Sequence, residues 1–300
     1  MTHIVVFGSV HMELVAQADR APARGQSAPG RELPVVPGGR GACQAVAAVR
    51  AGAAVSLAGA VGSDAYGGRL RAGLVAEGVD VELLRTVEGP SGTAHITVDG
   101  AGSPAVVVVP GANASLTALT PGDEALIGTG DAVLLQADIP LPAVTAAALT
   151  ARERGVPTVL TPAAVGPPPG ELLAATDLLV ADEDQAAEVS GRTEPYRSVR
   201  ALLELVPEAV VTLGAAGCLW AVRGGEPMVV PAPEATAVDA AGAGDTFTGA
   251  LAAALCEGRP MARALEWASA AAALAVSRPG GAASAPYRAE IDAACPAVAS

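Results

Sequence analysis

Apolar positions along the chain gather into short runs, and alanine-rich stretches separate them. Ile4–Phe7, Val55–Val61, Ala132–Gln136, Thr158–Leu160, Leu178–Val180 and Val210–Leu213 read as strands. Gly41–Ala51, Gly67–Glu77, Ala143–Arg154, Glu183–Val189 and Val199–Val206 read as helices between or after them. Two further helices, Asp245–Cys256 and Met261–Val276, close the pattern. The alternation predicts an α/β chain with an open, mostly parallel sheet. Cys218–Val222 and Met228–Val230, joined by Arg223-Gly224-Gly225, predict an antiparallel pair.

Two places break the rhythm. Gly30–Val36, and Gly92–Val98 with Ala105–Val109, are extended segments without intervening helices. Asp99-Gly100 joins the last two as a hairpin turn. These segments predict a small sheet off the main one, a lid built from residues 11–36 and 92–109 of a single domain spanning 1–300. The alternative is an edge extension of the main sheet. Gly166–Gly170, with its three prolines, reads as a surface loop, and no internal repeat is visible.

Composition narrows the class. The chain has 300 residues, 51% apolar and 16% charged, with a formal net charge of -13. That charge disfavours nucleic acid and anionic membrane surfaces as partners. It leaves room for a phosphorylated ligand, since local N–H groups and arginines bind phosphate in acidic proteins. All 18 basic residues are arginine, which points to a GC-rich genome. No apolar run approaches the roughly 18–20 residues that span a bilayer. The start, MTHIVVFGSV, lacks the basic region of a signal peptide. Cys43, Cys218, Cys256 and Cys295 are scattered, so a disulfide framework and a zinc site are both disfavoured. The expectation is a cytoplasmic protein with reduced thiols.

The chemistry concentrates in Val238–Leu251, VDAAGAGDTFTGAL. A glycine-punctuated turn leads to Asp245 and then to an apolar helix. A helix start aims free N–H groups and a partial positive charge outward. Gly242 and Gly244 remove side chains that would block a close ligand. The arrangement suits an anion such as phosphate with a carboxylate beside it. An acid so placed can take the proton of an attacking hydroxyl. The plainer alternative is that Asp245 caps its helix and the glycines turn the chain.

Several motifs in order make the chain resemble the ribokinase-like family of sugar kinases, the PfkB carbohydrate kinases. PGGRGACQAVAAVRAGA, Pro37–Ala53, is similar to its N-terminal signature, and VGSDAYG, Val61–Gly67, to its G-x-D-x-x-G turn. PGAN, Pro110–Asn113, resembles the segment after the lid. TLGAAG, Thr212–Gly217, resembles the nucleotide loop, and DAAGAGDTFTGAL the C-terminal signature. The likeness runs from about Ile4 to Asp292, and GACQAVAA and RPGGAASAP bring the ribokinase branch nearest.

The resemblance implies a three-layer α/β/α sandwich with a β-sheet lid, and transfer of the ATP γ-phosphoryl group to a sugar hydroxyl. It makes Asp245 the base and the N–H groups of Ala241, Gly242, Ala243 and Gly244 an anion hole. Thr212, Gly214 and Gly217 match ATP-contacting positions. Asp239, the carbonyls of Ala241, Ala275, Arg278 and Gly280, and the hydroxyl of Ser284 match ligands of a monovalent cation, usually K+. In this family the lid often serves as a dimer clasp, which implies a homodimer.

The chain departs from the pattern where a sugar would sit. His11 and Glu13 stand for the family's Asn and Asp, and Gly38-Gly39-Arg40-Gly41-Ala42-Cys43 for its Gly-Gly-Lys-Gly-Ala-Asn. Asp138 replaces a Glu. Losing the Asn at Cys43 removes a donor and an acceptor. A ribose site stripped of its hydrogen bonds loses discrimination, so ribose is expected to be a poor substrate. His11 is either a ligand contact or a surface residue on the turn after the first strand. Cys43 either packs or meets substrate, and Arg40 pairs with Glu13 or Asp138 or else touches substrate. Three carboxylates, at Glu13, Asp138 and Asp245, suit a polyol, including an amino sugar or an aminocyclitol oligosaccharide of the acarbose type.

The family's Asn-x-x-Glu motif, which organises Mg2+, stands as Asp182-Glu183-Asp184-Gln185, with acid and amide exchanged. The alternatives there are that Glu183 or Asp184 substitutes, or that the whole run is a solvated acidic helix start. Two other functions compete. A nucleoside kinase would want rings for base stacking, and aromatics make up only 2%. A non-catalytic sugar sensor would not need a base beside an anion hole. A dinucleotide-binding oxidoreductase is poorly supported, since FGSVHME follows the first strand.

Overall fold

The structure is a computed structural model, and it describes residues 2–100, 104–163 and 166–295. Three layers are present. The central sheet runs β1 (His3–Phe7), β5 (Ala54–Gly62), β6 (Leu84–Val87), β9 (Ala132–Gln136), β10 (Thr158–Thr161), β11 (Leu178–Asp182), β12 (Glu208–Thr212), β13 (Cys218–Val222) and β14 (Met228–Val230). Its spatial order is β14-β13-β12-β11-β10-β9-β1-β5-β6. Strands from β6 to β12 are parallel, while β13 and β14 pair antiparallel.

The strand alternation sorts the core. Ile4 and Val6 of β1 point to one face and Val5 and Phe7 to the other. On the first face lie α1 (Arg40–Arg50), α2 (Ala65–Ala76), α8 (Ala243–Cys256), α9 (Met261–Val276) and α10 (Arg288–Ala294). On the second lie α3 (Pro121–Ile127), α4 (Leu141–Glu153), α5 (Gly170–Ala174), α6 (Glu183–Ser190) and α7 (Pro195–Leu202).

Small residues set how closely the first layer packs. A Cβ at Gly249 of α8 would lie 2.6 Å from the Gln44 carbonyl oxygen of α1. Ala47 and Ala48 supply the facing surface. Alanine and glycine here let two helix backbones nearly touch, and that approach positions the start of α8.

The separate sheet is real and is not an edge extension. It holds β2 (His11–Ala18), β3 (Gly30–Glu32), β4 (Val35–Gly38), β7 (Gly92–Val98) and β8 (Pro104–Val109). Residues 101–103 of the expected hairpin lie outside the described residues, as do residue 1 and residues 296–300 of the expected domain.

Some boundaries differ from expectation. Gly30–Val36 splits in two, because Pro34 between β3 and β4 has no N–H to donate. The helix expected at Val199–Val206 is Pro195–Leu202: Pro195 sits at its first position, and Glu194 accepts from the N–H groups of Tyr196 and Arg197. β6, α3, α5 and α10 carried too short a signal to be read as elements, and β2 lay inside the expected lid segment without being read as a strand.

Candidate active site

The carboxyl ends of the parallel strands face one edge of the sheet, where ligands of open α/β folds bind. Most of the expected residues collect there. β1 runs into Gly8, Ser9 and then β2, which carries His11 and Glu13. Gly39, at φ 102°, turns the chain into α1 and places Arg40, Cys43 and Gln44. Only glycine fits that turn, since a Cβ would sit 2.7 Å from the Ser9 carbonyl oxygen. β9 ends at Gln136, two residues before Asp138.

Asp245 lies in the first turn of α8 and is half-buried. Its Oδ1 accepts a hydrogen bond from Gln44 Nε2 at 2.8 Å and lies 3.6 Å from Arg40 Nε. Burial pushes its carboxyl above the ordinary value; Arg40 and Gln44 oppose that, and Asp138 and Glu13 add to it. A raised carboxylate suits a proton acceptor. Arg40 also donates to the Pro162 carbonyl, so its partners are Asp245 and that oxygen, not Glu13 or Asp138.

The neighbouring groups close the cluster. His11 is buried at the start of β2, which corrects its reading as a surface turn residue, and its Nε2 lies 3.6 Å from Glu13. Ser9 Oγ donates to Asp138 Oδ2 at 2.5 Å, leaving the other buried oxygen, Oδ1, without a partner among the described residues. An orphan buried acceptor costs about 1–3 kcal/mol, and a bound hydroxyl would repay it. Cys43 is buried, and burial with Asp245 and Glu13 raises its thiol well above the usual value.

The start of α8 refines the expected anion hole. The N–H of Ala241 donates to Asp239 Oδ1 at 2.9 Å, and that of Ala243 to the Ala240 carbonyl at 3.3 Å. Both are engaged. Among the described residues, the N–H groups of Gly242, Gly244 and Asp245 meet no protein acceptor. Gly242 (φ 75°) faces the Gly281 backbone, so its missing side chain admits a neighbouring loop, not a ligand. Gly244 faces open space.

The other sets stand apart. Asp182 and Thr212 are register partners at the ends of β11 and β12. Thr212 is three strands from β9, roughly 14 Å. Asp182 and Gln185 cap α6 for each other: Asp182 Oδ1 accepts from the Gln185 N–H at 2.8 Å, and Gln185 Oε1 from the Asp182 N–H at 3.1 Å. One oxygen of Asp182 is left over. Gly214 and Gly217 (φ 54° and 100°) shape the turn after β12. Asp239 ties two loops, accepting from Ala241 and, at 3.1 Å, from the Gly280 N–H. Ser284 donates to the Gly281 carbonyl at 2.7 Å, and the Ala275 carbonyl accepts from Arg278 N–H. The Arg278 side chain pairs with Glu290.

Ser9, Gln44 and Gln136 were missed from sequence. For two of them a signal was present: Gln44 is the only amide in a helix that is small and apolar between its terminal arginines, and Gln136 ends an apolar strand.

A half-buried acid stands beside free helix N–H groups at the strand ends of a three-layer sandwich with a second small sheet, an arrangement chemically suited to phosphoryl transfer. The model of the pfkB family carbohydrate kinases matches residues 1–288, and the chain belongs to that family, whose members phosphorylate a sugar hydroxyl. Ribokinase from Bacillus subtilis is 35% identical over 294 residues, covering 97% of this chain and 99% of that protein. Ribokinase from Haemophilus influenzae is 32% identical, covering 96% of each. A ribokinase structure from Arabidopsis thaliana, complexed with ribose and ATP, superposes with a TM-score of 0.92 at 29% identity, covering 99% of this chain and 100% of that one.

Proposed function

We propose that the protein transfers the γ-phosphoryl group of ATP to a hydroxyl of a sugar or sugar-like polyol. The observation that carries this is the Asp245 carboxylate, held by Gln44 and Arg40 beside the unengaged N–H groups of Gly242, Gly244 and Asp245. Asp245 accepts the hydroxyl proton. The free N–H groups meet charge that develops on the transferred group. ATP lies along Thr212, Gly214 and Gly217. The free oxygen of Asp182 fits an Mg2+ shell completed by water, which supplies charge neutralisation when bound. Asp239 and the carbonyls beside it are the hard oxygen donors that K+ takes. ATP in the Arabidopsis relative's complex supports the nucleotide.

The relatives' names make ribose the reference acceptor. His11, Glu13, Cys43 and Asp138 change the side chains that would meet it, and the reading is that another acceptor is preferred. Amino sugars and aminocyclitols fit a cluster of three carboxylates and one arginine. A nucleoside is disfavoured, because aromatic side chains that would stack a base make up only 2% of the chain. The same reading includes a cytoplasmic homodimer. β8 is a sheet edge, with Val106–Val109 all exposed, and sedimentation velocity tests it.

The test is ADP release with ATP, Mg2+ and K+ across sugars, amino sugars, cyclitols and nucleosides. Asp245→Asn is expected to remove most turnover and leave binding. No ADP release with any acceptor, alongside measurable sugar binding, overturns the reading in favour of a sensor. Ribose outperforming all other acceptors overturns the altered-acceptor part alone.

A further inference from the structure

Two glutamines with no exposed surface sit in the alanine and valine core beneath the site. Gln44 and Gln136 are both 0% exposed. Buried amides need partners, and these are joined in one direction. An ionised Asp245 only accepts, so Gln44 must present its NH2 there. It does, at 2.8 Å, and the same nitrogen donates to Thr161 Oγ1 at 3.1 Å. The Gln44 oxygen is thereby turned away, and it accepts from Gln136 Nε2 at 2.8 Å. Every polar site of the Gln44 head is fixed by β9, β10 and α8.

The backbone is shaped around this chain of amides. Gln136 Oε1 lies against Gly8, where an added Cβ would fall 1.6 Å from it. That oxygen is buried and has no partner among the described residues. A core glutamine that only filled space would not need a glycine beside it and an unpaired oxygen. The arrangement keeps the Gln136 NH2 on Gln44, and so the Gln44 NH2 on the carboxylate.

We propose that Gln44, oriented by Gln136, is a positioning residue that fixes the Asp245 carboxylate for proton acceptance. This rests on Asp245 being the base. The carboxylate is also faced by Arg40 and Cys43 from α1, by Glu13 and, behind it, His11 from β2, and by Asp138 after β9. Arg40 supplies opposite charge at 3.6 Å, while Gln44 supplies the direct hydrogen bond.

The decisive variant is Gln136→Met, which removes the donor that holds the Gln44 oxygen and so frees the Gln44 amide to turn. Gln44 itself remains in place. The expected result is a kcat lower by about tenfold to a hundredfold, the scale that misplacing a catalytic group costs. The acidic limb of kcat/KM moves to higher pH, because losing the donor favours the protonated acid. Gln44→Met, similar in volume without the amide, gives the same pH shift. KM for ATP stays within about twofold, because the nucleotide residues are strands away. Far-ultraviolet circular dichroism and thermal melting verify that both variants fold. Normal kcat and an unmoved acidic limb in folded Gln136→Met and Gln44→Met overturn the proposal. If Asp245→Asn also stays active, the base assignment fails instead.

Discussion

Replacing Gly249 by alanine tests whether close helix packing sets the site. In the middle of a free helix this change stabilises by about 1 kcal/mol, since glycine loses more backbone freedom on folding. Here the new Cβ would lie 2.6 Å from Gln44 O, 2.8 Å from Ala47 Cβ and 3.0 Å from Ala48 N. Two of these are backbone atoms, which cannot rotate aside. Reaching an ordinary 3.4 Å requires α1 and α8 to part by about 0.8 Å. Overpacking of this kind costs about 1–3 kcal/mol, which exceeds the helix gain. The net effect is a loss of up to about 2 kcal/mol, or a Tm lower by a few degrees at about 2–4 °C per kcal/mol. The same displacement pulls Asp245 off Gln44, so kcat falls by roughly tenfold or more. Gly68→Ala in α2 is the control: nothing lies within 4 Å of its Cβ. That variant should gain about 0.5–1 kcal/mol. Thermal unfolding and steady-state kinetics read both. If Gly249→Ala melts above wild type, as Gly68→Ala does, and keeps its kcat, the packing argument is wrong.

Asp245→Asn should raise Tm near neutral pH, because burial makes the ionised form costly and lifts the carboxyl above its ordinary value. That cost is absent below the unfolded carboxylate pKa and grows as pH rises through the folded one, so the Tm difference should shrink in acid; a gap that widens in acid reverses the sign. Asp123→Ala removes a capping box with Thr120 and the partner of Arg85 at a buried position, and a loss of about 2–4 kcal/mol is expected in urea unfolding. Cys43 should resist iodoacetamide at pH 8 until the chain unfolds, since its thiol is buried and held protonated, as mass spectrometry of labelled peptides would show.

Long apolar strands and alanine-rich helices were legible because burial on both faces leaves a strong hydrophobic signal. β2 was not read as a strand, since HMELVAQA mixes polar and apolar residues and is completed by β4 and β7, distant partners. Asp245, Arg40, Glu13 and Asp138 were legible through motif and strand-end position. Their pairings were not. Which acid faces Arg40 depends on how closely α8 approaches α1, and no local pattern encodes that distance. The free N–H groups of the α8 start depended likewise on the Asp239 turn, whose carboxylate engages Ala241. Gln44 and Gln136 are far apart in sequence, and only the sheet order joins them.

The two groups that hold Asp245 do different work, and their geometry separates the roles. Arg40 is half-buried and gives Nη1 to the Pro162 carbonyl, and its Nε stands back from the carboxylate. Its 3.6 Å separation supplies charge without direction. Gln44 is uncharged and fully enclosed, so it contributes direction with little charge. A base fixed by a bidentate arginine would be lowered in pKa and poorly disposed to take a proton. If Asp245 is the base, as proposed, holding it by a neutral amide with the cation set back keeps it oriented and basic.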